Sequence, residues 1–200
     1  MTMKMVLPSA KYQRSYHQYI DELADEERYP FPLDFDHQDF ELLLKKLADF
    51  ANGINIPAGY VASETYWLVD GAELVGVANL RLSLNEVITY CGGHIGIGIK
   101  PSYRGKGIGN LLMKKVIEAA NSRGIKPLHI HCYKHNIASA KMIMANGGVL
   151  DSEIIAPTSN SESASNDADS ITDKNTDEAQ VRALTHTIVS QERIQRYIVS

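Results

Sequence analysis

The sequence predicts an α/β fold in which a mixed sheet is flanked by helices, and three observations predict it. Two apolar, β-branched segments, Thr65 to Val69 and Leu74 to Leu84, are separated by Asp70-Gly71, a strong hairpin signal. A short strand, Ile95 to Ile99, runs through a glycine-rich basic turn, Arg104 to Gly109, straight into a segment with apolar residues at helical spacing. Two further helical segments, one opened by a capping serine and one with apolar residues at helical spacing, precede the hairpin.

The elements follow in order. Ser9 can cap a helix running to about Glu27. A second helix, from about His37 to Asn52, carries Phe40, Leu43, Leu44, Leu47 and Phe50 on one face and stops at Gly53. Between them Tyr29-Pro30-Phe31-Pro32 cannot be helical throughout. The helix after the glycine turn carries Ile108, Leu111, Leu112, Val116, Ala119 and Ala120 on one face and ends near Gly124. Leu128 to Cys132 is a further strand. From Ala156 to about Gln180 the composition shifts to Ser, Asn, Asp, Glu and Thr, too polar to counter its own chain entropy. The expectation is one domain over 1–200, with a mobile acidic insertion at 156–190 and a short helix near Glu178 to Leu184.

Composition narrows the function. At 200 residues, 44% hydrophobic and 22% charged, the chain suits a single domain with a sizeable core. Its net charge of −4 argues against a general nucleic-acid binder. No run approaches the roughly 18 apolar residues of a membrane span, and Met1 to Pro8 lacks a signal peptide's apolar stretch, so no membrane role is expected and the location expected is cytoplasmic. Cys91 and Cys132 are too few for a disulfide framework and lack metal-ligand spacing.

The turn from Arg104 to Gly109 is the part of the chain that carries chemistry. Main-chain N–H groups at a helix N-terminus are unpaired and partly positive, which suits phosphate. Gly105, Gly107 and Gly109 can adopt positive φ and let an anion approach the main chain, while Arg104 and Lys106 add formal charge. A diphosphate is the expected guest. A P-loop would need Ser or Thr directly after Lys106, where Gly107 stands. A Rossmann turn counted from Gly105 and Gly107 would need glycine at Asn110, and no acidic residue closes the strand Leu128 to Cys132.

The spacing Arg-x-x-Gly-x-Gly, filled by Arg104, Gly107 and Gly109 after a strand ending Ile97-Gly98-Ile99-Lys100-Pro101, resembles the GNAT superfamily of N-acetyltransferases. The likeness continues through Leu128 to Cys132, then Asn136 to Ser139, and a helix ending at Asn146-Gly147-Gly148. It implies a mixed, mainly antiparallel central sheet with helices on both faces, closed by a hairpin of Gly147 to Ile155 with Arg193 to Val199. It further implies acetyl-coenzyme A as co-substrate, no metal, and transfer to a small-molecule or peptide primary amine by direct attack in a ternary complex. Cofactor contacts are implied at Ile97, Ile99, Arg104, Gly105, Lys106, Gly107, Ile108, Gly109, Asn136 and Ser139, and dimers are common among such proteins.

Acetyl transfer needs a neutral amine, donors for the oxyanion, and a proton for the departing thiolate. The N–H of Ile97 or Ile99, exposed by a splay between the strands Ile95 to Ile99 and Leu128 to Cys132, is the expected oxyanion donor. His94 is the expected base, with Glu86 the weaker alternative, because the resemblance places a glutamate near this position in many relatives. The family's acid is a tyrosine seven residues after the helix-starting asparagine, but Ile143 stands there, and Gly148 replaces the usual phenylalanine. Tyr133 can substitute. A thiolate leaves with little help, its thiol having a pKa of about 8.5. Tyr29 and Phe31 are candidates to shape the acceptor pocket. His129, His131 and His135 share spacing that suits a metal, yet no carboxylate or cysteine accompanies them, so sheet packing or acceptor contact is expected. The alternative function is a non-catalytic acyl-coenzyme A binding or sensing module of the same fold.

Overall fold

The structure is a computed structural model that describes residues 3–156 and 192–200. The expected insertion from residue 157 onward, with its short helix, lies outside the described residues.

Among the described residues seven strands form two sheets. The first has the order β1 (Lys4–Val6), β2 (Ser63–Asp70), β3 (Glu73–Arg81) and β4 (Ile95–Ile99), all antiparallel. The β2–β3 turn at Gly71 has φ 63°, the left-handed region that the Asp-Gly pair predicts. The second sheet has the order β5 (Leu128–Tyr133), β7 (Arg193–Val199), β6 (Val149–Ile155), so the last strand inserts between its two predecessors. The pairing of β6 with β7 is the hairpin that the resemblance implies.

Helices cover both faces of the first sheet. α1 (Gln13–Leu23) and α2 (Phe40–Ala51) bury Tyr16, Tyr19, Leu43 and Leu47 against Trp67, Val69, Leu74 and Val77. On the opposite face α4 (Ile108–Ser122) packs Leu112, Met113 and Val116 onto Leu68, Val75, Ala78 and Ile95. Adjacent residues of β2, such as Trp67 and Leu68, enter opposite cores because side chains alternate along a strand. Gly76 permits the close approach of α4, since a Cβ there would lie 3.0 Å from Leu112 Cδ2. α5 (Ile137–Ala145) follows β5.

Several boundaries differ from expectation, among them the end of β3 at Arg81 rather than Leu84. Ser9 caps a 3-10 turn, Ala10–Tyr12, that precedes α1, and α1 stops at Leu23 because Ala24 takes φ 47°. α2 starts at Phe40, where the Asp39 side chain accepts from the N–H of Leu42. A five-residue helix, α3 (Glu86–Tyr90), capped by Asn85, fills the connection before β4, too short for periodicity to reveal.

Candidate active site

Helices α2, α3 and α5 each begin on a side chain that accepts a free N–H of the first turn: Asp39, Asn85 and Asn136. Helix α4 begins on Gly107, at φ 76°, and among the described residues no side chain caps it. The first N–H groups of the helix, from Ile108 to Asn110, therefore have no acceptor within it, and positive partial charge collects at this end. All three residues line a cleft of about 750 Å³. A Cβ at Gly105 or Gly107 would meet nothing within 4 Å, so the turn stands open toward that cleft. Gly105, at φ 73°, and Gly107 need glycine for their conformation. Gly109 corrects the expectation of a third positive φ. It is a helical residue, and its missing Cβ would lie 2.9 Å from Met142 Sδ, so it lets α4 and α5 pack closely.

The two expected cationic partners are already engaged. Arg104 makes a forked pair with Glu26 at 2.7 and 3.1 Å, and its Nε donates to the Ile99 carbonyl at 3.0 Å. That pair holds the exposed Glu26 carboxyl below the usual carboxylate range. Lys106 Nζ donates to the Ser102 carbonyl at 2.8 Å and lies over the Tyr103 ring. The grip on an anion falls first to the main chain.

Along β4 the hydrogen-bond phase decides which groups face the cleft. Arg81 N–H donates to His94 O, and Lys100 N–H to Val75 O, so His94, Gly96, Gly98 and Lys100 bond to β3. The main-chain groups of Ile95, Ile97 and Ile99 then point away from β3, because an antiparallel ladder alternates. On that side β5 diverges. Among the described residues the bridge between the sheets is at Gly93 and Ile130, reinforced by His94 N–H donating to His129 O at 2.6 Å. Ile97 and Ile99 line the cleft beyond this junction, as do Asn136 and Ser139 at the start of α5.

The cleft runs into a smaller cavity of about 230 Å³ bounded by Ile97, Tyr29, Cys91, His131, Cys132 and Tyr133. Tyr133 lies at the end of β5, 38% exposed, its ring stacked on His135, and burial with Glu27 nearby pushes its hydroxyl pKa up. Tyr29 reaches both cavities, whereas Phe31 packs among Phe35, Phe50 and Tyr60, away from them. Burial pushes Cys132 up to about 11.

His94 is placed differently from the expected base. It is buried, its Nδ1 accepts the main-chain N–H of His129 at 2.9 Å, and it does not line either cavity. Its position between two strands fixes it as a tie across the sheet junction. Glu86 sits in the first turn of α3 and lines neither cavity. His131 is buried with Nδ1 accepting from Gly92 N–H at 3.0 Å, and its Nε2 has no partner among the described residues. Among the described residues no group of three His, Cys, Asp or Glu side chains is placed to hold a metal ion.

Both buried histidines have pKa values pushed down to about 4, first by burial and then by neighbouring charge or imidazole. Between about pH 6.5 and 4 the unfolded chain therefore binds protons that the folded chain refuses, so stability falls as pH falls through that window. The urea midpoint is expected to drop steadily from neutral pH to pH about 4.5, before carboxylates with lowered pKa values begin to contribute. A flat midpoint across this range would contradict the burial of His94 and His131.

The acetyltransferase (GNAT) family model matches residues 17–147, and the chain belongs to that family. It is an acyltransferase of the N-acetyltransferase class. No curated protein matches the chain. Among solved structures it is similar to RimL, a ribosomal L7/L12 alpha-N-protein acetyltransferase in complex with coenzyme A, at 14% identity and TM-score 0.63, covering 99% of this chain and 93% of that one. It is similar to the microcin C7 self-immunity acetyltransferase MccE with acetyl-CoA and AMP, at 14% identity and TM-score 0.62, covering 98% and 91%. A chimera of spermidine N-acetyltransferase SpeG from Vibrio cholerae and hSSAT aligns at 14% identity and TM-score 0.57, covering 100% and 95%. These likenesses establish the fold.

Proposed function

We propose that the protein transfers an acetyl group from acetyl-coenzyme A to a primary amine by direct attack within a ternary complex. The observation that carries this is the start of α4 at Gly107, uncapped by any side chain among the described residues and opening on a cleft whose other wall is the edge of β4 turned away from β3. The residues present fit the co-substrate. The N–H groups from Ile108 to Asn110 suit its diphosphate, and the edge of β4 offers main-chain groups to its amide-bearing arm. Bound there, acetyl-coenzyme A supplies the thioester that makes the acetyl carbon electrophilic.

The chain's own groups then act as follows. Ile97 N–H points into the gap between β4 and β5 and serves as the oxyanion donor. Tyr133, at the far end of that gap, supplies the proton to the departing thiolate. Asn136 Oδ1 accepts from Ser139 N–H at 3.0 Å, which orders the start of α5 beside the cofactor's path. His94 keeps the junction of the sheets in register, a positioning role rather than proton transfer.

A second reading, a non-catalytic acyl-coenzyme A binding module, draws on one observation. Ile143, where relatives are expected to carry tyrosine, is fully buried against Gly148 and offers no proton. Calorimetry with acetyl-coenzyme A, followed by thiol release across a panel of amines, separates the two. Binding with release supports transfer, binding without release supports the module, and absence of binding overturns both.

A further inference from the structure

The C-terminal end of α1 brings two neighbouring carboxylates, Glu26 and Glu27, to the wall of the cleft. They differ in one respect. Glu26 is taken up by Arg104, whereas among the described residues no hydrogen bond or ion pair reaches the side chain of Glu27. Glu27 also lines the smaller cavity, so it stands where the two spaces meet.

Its backbone is firmly held. Arg28 donates to the carbonyls of Ile20 and Ala24, both at 3.2 Å, closing the end of α1. Glu26 N–H donates to Leu23 O at 2.8 Å, and Tyr29 N–H donates to Glu27 O at 3.0 Å. On the far side Tyr29 and Pro30 lie against Gly96 and Gly98 of β4. A lone carboxylate on a braced segment is set to receive a cation.

The small cavity supports the same conclusion. Apart from Glu27 its walls among the described residues carry no formal charge at neutral pH, since burial keeps His131 neutral and the thiols protonated. Tyr29 and Tyr133 add aromatic faces, which attract ammonium groups. At about 230 Å³ the space is smaller than the roughly 300–1,000 Å³ that encloses a whole drug-sized ligand, so it admits the amine-bearing end of an acceptor and leaves the remainder outside.

Building on the acetyl-transfer reading, we infer that Glu27 captures the acceptor and that the acceptor is a cationic alkylamine, its ammonium held between Glu27 and the rings of Tyr29 and Tyr133. The ammonium gives up one proton to solvent before it attacks. The C–N bond then forms and the C–S bond breaks, the nitrogen sheds its second proton to solvent, and Tyr133 protonates the thiolate and recovers a proton from solvent. The products are the acetamide and free thiol.

The test uses the full chain, acetyl-coenzyme A and three acceptors: 1,4-diaminobutane, a tripeptide with a free α-amine, and p-anisidine, an arylamine uncharged at neutral pH. Glu27→Gln is expected to raise KM for the two cationic acceptors about tenfold, worth about 1.4 kcal/mol. It should change kcat by less than about threefold, with no effect on the KM for p-anisidine or on the calorimetric Kd for acetyl-coenzyme A. Glu27→Asp should recover part of the loss. Equal KM changes for the arylamine, unchanged KM for the cations, or thiol release by the wild-type chain with p-anisidine alone or with no acceptor tested would each overturn the inference while leaving the cofactor site intact. Failure of the wild-type chain to bind acetyl-coenzyme A would instead remove the acetyl-transfer reading, and the inference with it.

Discussion

Gly107→Glu is expected to lower the affinity for acetyl-coenzyme A by a factor of about 100 or more, measured by calorimetry on the purified full chain. The substitution puts a carboxylate beside the uncapped start of α4, where a diphosphate would sit. Two like charges about 5 Å apart at an effective dielectric of 20 repel by about 3 kcal/mol, which alone accounts for roughly a hundredfold loss. The side chain has room, since a Cβ at Gly107 meets nothing within 4 Å, so the fold should survive. What remains is the cost of a non-glycine residue at φ 76°, about 1 kcal/mol. Gly124, just past α4 at φ 73° and equally open, provides the control for that strain. Gly124→Glu should lose similar stability and bind acetyl-coenzyme A as the wild type does. Retained affinity in Gly107→Glu would exclude this turn as the phosphate site, and equal loss in both variants would trace the effect to folding.

The contrast between these two glycines also shows what was legible in the sequence. Both have left-handed φ at a helix end and open space around them. Only position 107 sits in a spacing with Arg104 and Gly109 that resembles a known phosphate turn. The architecture was readable for the same reason: Asp70-Gly71, the alternating residues of β4 and the apolar face of α4 each signal their local structure through short-range chemistry. The divergence of β5 from β4 at the Gly93–Ile130 bridge follows from the resemblance, and the ladder phase of β4 then sets which N–H groups it exposes.

Side-chain roles were less legible because they depend on contacts far apart in the chain. Arg104 is a formal cation in a phosphate turn, yet it meets Glu26 from the segment after α1, and no local pattern announces that pairing. His94 is next to two glycines in sequence, but its environment is set by His129 across the junction, which uses its Nδ1 as a structural acceptor. Tyr29 was recognisable as an aromatic in a turn near the acceptor groove, whereas Glu27 was not, because a carboxylate at the end of a surface helix is ordinarily solvated. Its distinction is that, among the described residues, no partner reaches it at the wall shared by two cavities, a property of the folded arrangement.

That arrangement depends on Gly98, and Gly98→Ala is expected to damage amine turnover far more than cofactor binding. A Cβ at this position would lie 2.2 Å from the Tyr29 carbonyl oxygen, 3.0 Å from Tyr19 Oη and 3.2 Å from Pro30 Cδ. The first of these is main chain, so no side-chain rotation relieves it and the segment carrying Glu27 and Tyr29 must lift off β4. Such overpacking typically costs 1–3 kcal/mol, about as much as a lowered urea midpoint would report. Moving the wall of the acceptor cavity by even an ångström should cut kcat/KM for an amine by about 100-fold. The start of α4 is set by its packing on β3 and β4, so the Kd for acetyl-coenzyme A should change by less than about fivefold. Gly96→Ala provides the graded comparison: its Cβ would meet the Tyr29 hydroxyl at 3.0 Å and the Pro30 side chain at 3.1 Å, contacts that can yield, so its loss should be smaller in both readouts. If Gly98→Ala matched the wild type in stability and turnover, the segment around Tyr29 would not lie on β4 in solution, and the acceptor cavity would have a different wall.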